Sequence, residues 1–383
     1  MRALALMALT LGVAGTAAPH GSLTRLHDTR APCLDWVAPP DGRNLYAACG
    51  VDRHSSKVVV LRRDPATGRV SLVPNACSFH CSYADGLNNP SEVAMTPDGR
   101  DLIVGNRSGV HPVSVYRRGA GGRLRMTACV GGDLRGFPCT KGDVGGFMDF
   151  AVSPDGRNLY VAHVVSVRVV ANFRRNPATG RLAQPTGAAG CIAPAGSTYN
   201  DCGHAPSAKF RPGDVTVSPD GRNVYVGSGT EDGVRGIFAF ARDASTGALT
   251  PLAAPSACFV SRPTPGCETV PGIVGVADVD PGGRHLYAAR HVFARDASTG
   301  ALNLLPRQGA AGPVAFSPDG RTAYEGGRSF LRVYRRQADG GLSLLPSPYG
   351  VIRRKDFTMP LPAADGRHVY ASGIPFTAYR VTR

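Results

Sequence analysis

The chain has 383 residues and a formal net charge of +15, from 43 basic and 28 acidic residues, and all but four of the basic residues are Arg. With 43% hydrophobic and 19% charged residues it is neither a disordered acidic chain nor a collagen-like one, and 48 Gly and 31 Pro point to a turn-rich β protein. The Arg residues recur at fixed slots along the chain and aromatics make up only 7%, which argues against sequence-specific nucleic-acid recognition and leaves loose, salt-sensitive attraction to polyanions.

The N-terminus, MRALALMALTLGVAGTAAPHG, has one positive charge at Arg2, an apolar stretch from Ala3 to Val13 and small residues before Pro19. This is the layout of a secretory signal peptide over residues 1–17, too short for a membrane anchor. No later segment approaches 18 apolar residues, so a secreted, extracytoplasmic product without a membrane span is expected.

Ten Cys follow, in local pairs: Cys33 with Cys49, Cys77 with Cys81, Cys129 with Cys139, Cys191 with Cys202, and Cys258 with Cys267. In an exported chain this reads as five disulfides. A hairpin turning at Asp41 sets Val37 opposite Leu45 and Cys33 opposite Cys49. His80 lies between Cys77 and Cys81, but one Cys pair and one His fall short of a four-ligand zinc set, and no metal is expected.

Seven fragments then recur in chain order: APPDGRNLYAA, MTPDGRDLIVG, VSPDGRNLYVA, VSPDGRNVYVG, VDPGGRHLYAA, FSPDGRTAYEG and PAADGRHVYAS. Most are followed by a second signature, such as VVVLRRDPATGRV or IFAFARDASTGAL. Each unit reads as four short strands joined by a Pro-Asp-Gly-Arg turn and an Asp-x-x-Thr-Gly turn. One such sheet is marginal alone, so stacking around an axis gives an all-β, seven-bladed propeller of four-stranded antiparallel blades. The expected organisation is a single domain over 18–383. The last unit ends on its third strand, so residues near 21–27 are expected to complete it. Only five residues lie between Tyr287 and Phe293, which predicts a stunted or irregular fifth blade.

The combination SPDGRNLYVA with VFARDASTGALTPL resembles the seven-bladed lactonase-like propellers, including 6-phosphogluconolactonase and muconate-cyclase-type proteins, and more distantly the YVTN-repeat propellers. The resemblance covers essentially the mature chain. It implies the fold, and a lactonase-type hydrolase or isomerase as one possible activity. Enzymes of this group often carry His shortly before the inner strand; the matching positions here are Ser91, Met148 and Gly213.

Two residue sets are candidates for function. Asp35, Glu92, Asp149 and Asp214 occupy equivalent slots before the inner strands, where they would meet at the channel mouth to bind a cation, act as a base, or cap strand-end amides. His163, Glu231, Arg290 and His291 follow second strands on the same face and could polarise a lactone carbonyl and activate water. The Pro-Asp-Gly-Arg turns and Arg-Arg pairs fall on the opposite face, where their regularity indicates structural use. No nucleophile elbow, phosphate loop, zinc-protease motif or dinucleotide fingerprint is present, so no cofactor is expected. The leading expectation is a monomeric, disulfide-stabilised scaffold whose Cys-bearing face binds a small molecule, a protein or an anionic envelope polymer; the alternative is an extracellular lactonase.

Overall fold

The computed structural model describes residues 18–29, 33, 35–49, 57–74, 76, 87, 89–106, 112–131, 139–142, 147–163, 168–198, 201–229, 233–357, 359–373 and 376–382. The expected signal segment, Cys77, Cys81 and Glu231 lie outside these residues. Seven antiparallel sheets follow one another along the chain. Blade 1 is Asp35–Val37, Asn44–Cys49, Lys57–Arg63 and Val70–Leu72, and blade 2 is Pro90–Met95, Asp101–Asn106, Val113–Arg118 and Leu124–Val130. Blade 3 starts at Phe147–Val152, blade 4 at Pro212–Val217, blade 5 at Asp278–Val279, blade 6 at Val314–Phe316 and blade 7 at Pro360–Pro362. Blade 7 takes its outer strand, Leu23–Thr29, from the other end of the chain, in register with Phe376–Val381.

The repeated turns have a local chemical cause. In Ser153-Pro-Asp-Gly-Arg, the Asp155 carboxylate accepts the Arg157 N–H at 3.0 Å and the Ser153 hydroxyl at 2.5 Å, while Ser153 Oγ accepts the Asn158 N–H at 2.9 Å. In the Asp-x-x-Thr-Gly turn, Asp64 accepts Ala66 N–H and the Thr67 hydroxyl, and Gly68 takes φ 72° against the His368 ring, which an added Cβ would approach to 2.2 Å. Gly21 stands in the same relation to Thr322, at φ 85° and 2.5 Å. The N-terminal segment therefore supplies the seventh turn glycine as well as the missing strand.

Packing closes the ring. Among the described residues, one apolar cluster sits at each of the seven blade junctions, from Tyr46 with Val93 between blades 1 and 2 round to Trp36 with Tyr370 and Phe376 between blades 7 and 1. Trp36 and Phe376 rings meet at 4.3 Å between centroids. Second strands such as Asn44–Cys49 and Asn158–His163 are buried at every position because a neighbouring blade covers each face. That is why they read as near-continuous apolar runs without alternation. Each enclosed Tyr or Phe contributes roughly 1.5–3 kcal/mol on the transfer scale.

Blades 2, 3 and 4 share a further device. A Cys in the outer strand (Cys129, Cys191, Cys258) is bonded to one in the following connection (Cys139, Cys202, Cys267). The returning chain then runs parallel to the outer strand, through Val130 with Thr140, Ile192 with Gly203, and Phe259 with Glu268. Cys33 is bonded to Cys49, although the register sets Val37 opposite Tyr46, one residue from the expected pairing. Blade 5 keeps four strands: a turn at Ala289 (φ 49°) joins His285–Ala288 to His291–Arg295, and the shortening falls on the inner strand instead.

Candidate functional site

In blades 2, 3 and 4 the inner strand is irregular just before the acidic slot, between Pro90 and Glu92, Phe147 and Asp149, and Pro212 and Asp214. A bulge there re-aims the following side chain, as bulges commonly do beside functional positions. Each Asp reaches across to the next blade. Asp35 accepts Val93 N–H at 2.8 Å as well as its neighbour Trp36 N–H at 2.8 Å, Asp149 accepts Val215 N–H at 2.8 Å, and Asp214 accepts Ala277 N–H at 2.9 Å. The amide-capping role is thus real for these three. Asp278 does the same for Val314 N–H at 3.0 Å and extends the arc to blade 5.

These carboxyls also act on one another. Burial pushes Asp35 up to about 6, although the Val93 and Trp36 amides and Glu92 hydrogen-bond to it and oppose the shift. Burial, then the charge of Glu92, holds Asp149 well above the usual carboxylate range. Burial followed by Asp149 does the same for Asp214, and burial followed by Asp214 lifts Asp278 to about 7. Asp35 and Asp278, at the two ends of the arc, therefore exchange protons near neutrality, and Asp149 and Asp214 between them are held well above the usual carboxylate range. The arc's members retain some solvent contact despite their depth, as residues lining a propeller's central channel do. Among the described residues, no three His, Cys, Asp or Glu side chains come together as a metal ion would need.

Three members of the second candidate set fall among the described residues, one in blade 3 and two in blade 5. His163 ends the second strand of blade 3, fully buried, with its N–H donating to Val169 O at 3.0 Å. Arg290 is exposed in the blade 5 turn, and His291 begins the next strand opposite Gln308. Among the described residues no hydrogen bond or ion pair joins His163 to Arg290 or His291.

On the opposite face, the Arg that ends the third-strand segment in each of blades 1 to 6 is a staple to the preceding blade. In blade 4, Arg242 Nε donates to Tyr160 Oη at 3.0 Å, Nη1 to Gly221 O at 2.9 Å, and Nη2 to Asp155 and Asn158 at 2.7 Å each. Arg63, Arg118, Arg175, Arg295 and Arg336 repeat the arrangement. At blade 5, where Gly282 replaces the turn Asp, Asp280 takes its place. Most of these guanidinium groups are enclosed, not spread over a rim; the Arg242 side chain is 1% exposed.

Residues 36–194 match the family model described as "Lactonase, 7-bladed beta-propeller". The matched stretch spans blades 1 to 3 of a seven-bladed β-propeller. Among solved structures, the chain is similar to the periplasmic gluconolactonase of Pseudomonas aeruginosa, with 20% identity over 91% of this chain and 90% of that one and a TM-score of 0.60. Candidate 6-phosphogluconolactonases from Bacteroides fragilis and Bacteroides uniformis align at 16% and 19% identity, with TM-scores of 0.61 and 0.57. They cover 87% of both chains, and 84% of this chain with 85% of that one, respectively. At these identities the likeness speaks for the fold. A search of curated proteins gives no match.

Two things escape the repeat alignment. Asp278 lies two residues beyond the aligned acidic slot, which holds Val276, and the alternation of a strand puts both on one side. The reach of the staple arginines into the preceding blade is also invisible locally, since Arg242 and Asp155 lie 87 residues apart.

Proposed function

We propose that this protein is an extracytoplasmic binding propeller that presents its ligand surface on the Cys-linked face. The observation that carries this reading is the repeated device in blades 2, 3 and 4: three successive connections, each tied by a disulfide to its outer strand and added to it as a parallel strand. Stiffened connections on a rigid scaffold favour recognition, because less loop order has to be gained on binding. The disulfides also favour an oxidising compartment, in keeping with the apolar N-terminal stretch. Among the described residues no helix is long and apolar enough to cross a membrane. The carboxyl arc at the channel would disfavour an anionic ligand at its mouth and favour neutral or cationic ones.

The second reading, a lactone hydrolase, is supported by the family match and by Asp278, whose carboxyl is lifted to about 7, a range that suits proton transfer near neutrality. Against it stands the complete burial of His163. The oxidised full chain is assayed with glucono-lactone and 6-phosphoglucono-lactone. The scaffold reading expects no hydrolysis above the spontaneous rate. Turnover that disappears in His163→Ala or Glu231→Ala would establish the enzyme instead. Adhesion to anionic envelope polymer is tested by retention on a polyanion column, where binding that survives high salt argues against a charge-driven partner.

A further inference from the structure

Six blade junctions hold a guanidinium in one acceptor set: a turn Asp or its substitute, a turn glycine carbonyl, and in five cases a Tyr hydroxyl. The junction of blades 6 and 7 has the set but a different side chain. Val381 N–H donates to Arg367 O at 2.8 Å, as Arg63 N–H does to Arg43 O and Arg242 N–H to Arg222 O, so Val381 occupies the staple position. The acceptors remain in Asp319, the Gly366 carbonyl and Tyr324. Among the described residues no Arg donates to the fully buried Tyr324 hydroxyl, whose neighbour is Thr322, whereas Tyr46, Tyr160, Tyr225, Tyr287 and Tyr370 each accept from an Arg Nε.

A cleft of about 320 Å³ opens at this place, lined by Asp319, Thr322, Gly366, Val381 and His20 among others. Among the described residues Asp319 pairs only with His20, loosely, with Nε2 at 3.9 Å. The Asp319 side chain is 48% exposed, against 29–38% for the turn Asp residues that face a staple Arg. We propose that this cleft is a binding site for a guanidinium group, with Asp319 as the charged acceptor, the Gly366 carbonyl as the second and Tyr324 Oη as the third. The group can come from a free alkylguanidine or arginine, or from the chain's own Arg383, which lies outside the described residues. A guanidinium suits three diverging acceptors because its N–H groups form a planar fork, which an ammonium lacks.

The test is thermal unfolding of the full chain with millimolar methylguanidine or methylamine at matched ionic strength. The expected result is a rise in Tm of about 2 °C at roughly tenfold excess over Kd with methylguanidine and none with methylamine. If free ligand is the source, the rise appears in the wild-type protein; if Arg383 fills the site, it appears only in Arg383→Ala. In either background Asp319→Asn abolishes it, and Tyr324→Phe, which leaves the charge intact, reduces it. Val381→Arg should raise Tm without ligand and remove the response; should that variant not fold, the Asp319→Asn comparison decides. Equal responses to the two amines in both backgrounds, or a methylguanidine response that persists in Asp319→Asn, would overturn the proposal.

Discussion

The junction of blades 3 and 4 and the junction of blades 6 and 7 share the same turns, the same apolar seam and the same Tyr position, but only the first contains an Arg staple. At the first, Arg242 is enclosed by Tyr160, Gly221, Asp155 and Asn158. At the second, Val381 leaves Tyr324 without an Arg donor and Asp319 more exposed, and ring closure rests on the strand exchange between Leu23–Thr29 and Phe376–Val381. The difference separates what the turn does from what the staple does. It also explains the basic charge: at six junctions a repeat-encoded Arg is spent inside the ring, not held out to a polyanion.

The largest expected effect comes from removing a staple. Arg242→Met leaves Asp155 and the Tyr160 hydroxyl without their cation, and should cost about 3–5 kcal/mol in denaturant unfolding. A loss under about 1 kcal/mol would mean that the apolar seam alone holds the junction.

Next is the opposite, channel end of the junctions, where the carboxyl arc sets a pH dependence. Asp278 is lifted to about 7 by burial and then by Asp214, so between about pH 4 and 7 the folded state keeps a proton that the unfolded chain releases. This group's stabilisation is therefore present at acid pH and lost as pH rises through about 7. Asp278→Asn keeps an acceptor for Val314 N–H without the ionisation. Relative to the wild-type protein it should gain on the order of 2–3 kcal/mol between about pH 5 and pH 8, with the contributions of His27, His285 and His368 cancelling in the comparison. Parallel pH profiles for the two proteins would remove Asp278 from the arc.

The smallest effect is the most selective. Tyr160→Phe deletes a hydroxyl that accepts from Arg242 and donates to Gly247 O at 2.8 Å, and should cost about 1–2 kcal/mol. Tyr324→Phe deletes a hydroxyl that no Arg donates to, and should cost less than about 0.5 kcal/mol in the absence of ligand. Equal losses would erase the distinction between the junctions.

Most of the architecture was legible in the sequence because the Pro-Asp-Gly-Arg and Asp-x-x-Thr-Gly turns impose their own geometry on every repeat. The missing fourth strand of the last unit likewise pointed to the N-terminus, and the local spacing of Cys129 with Cys139, Cys191 with Cys202 and Cys258 with Cys267 pointed to their pairing. The candidate site was legible only in part. Asp35, Asp149 and Asp214 were visible through the register of the turns, but Asp278 was hidden because blade 5 shortens its inner strand to Asp278–Val279 and draws its acid from two residues further on. Chain order gave no means of seeing that Arg242 belongs to Asp155, or that His163 is enclosed while Arg290 is exposed, since those are properties of neighbouring blades.

The most direct test of the claim that the turn-face charge is structural is a paired substitution at the two junctions. Asp155 and Asp319 make the same turn bonds, to Ser153 and Arg157 N–H and to Ser317 and Arg321 N–H, and Asn can accept both. Only Asp155 also holds a staple Arg. Equilibrium unfolding of Asp155→Asn and Asp319→Asn should therefore show a loss of about 1.5–3 kcal/mol for the first and little change for the second. Equal losses, or a larger loss for Asp319→Asn, would contradict this account.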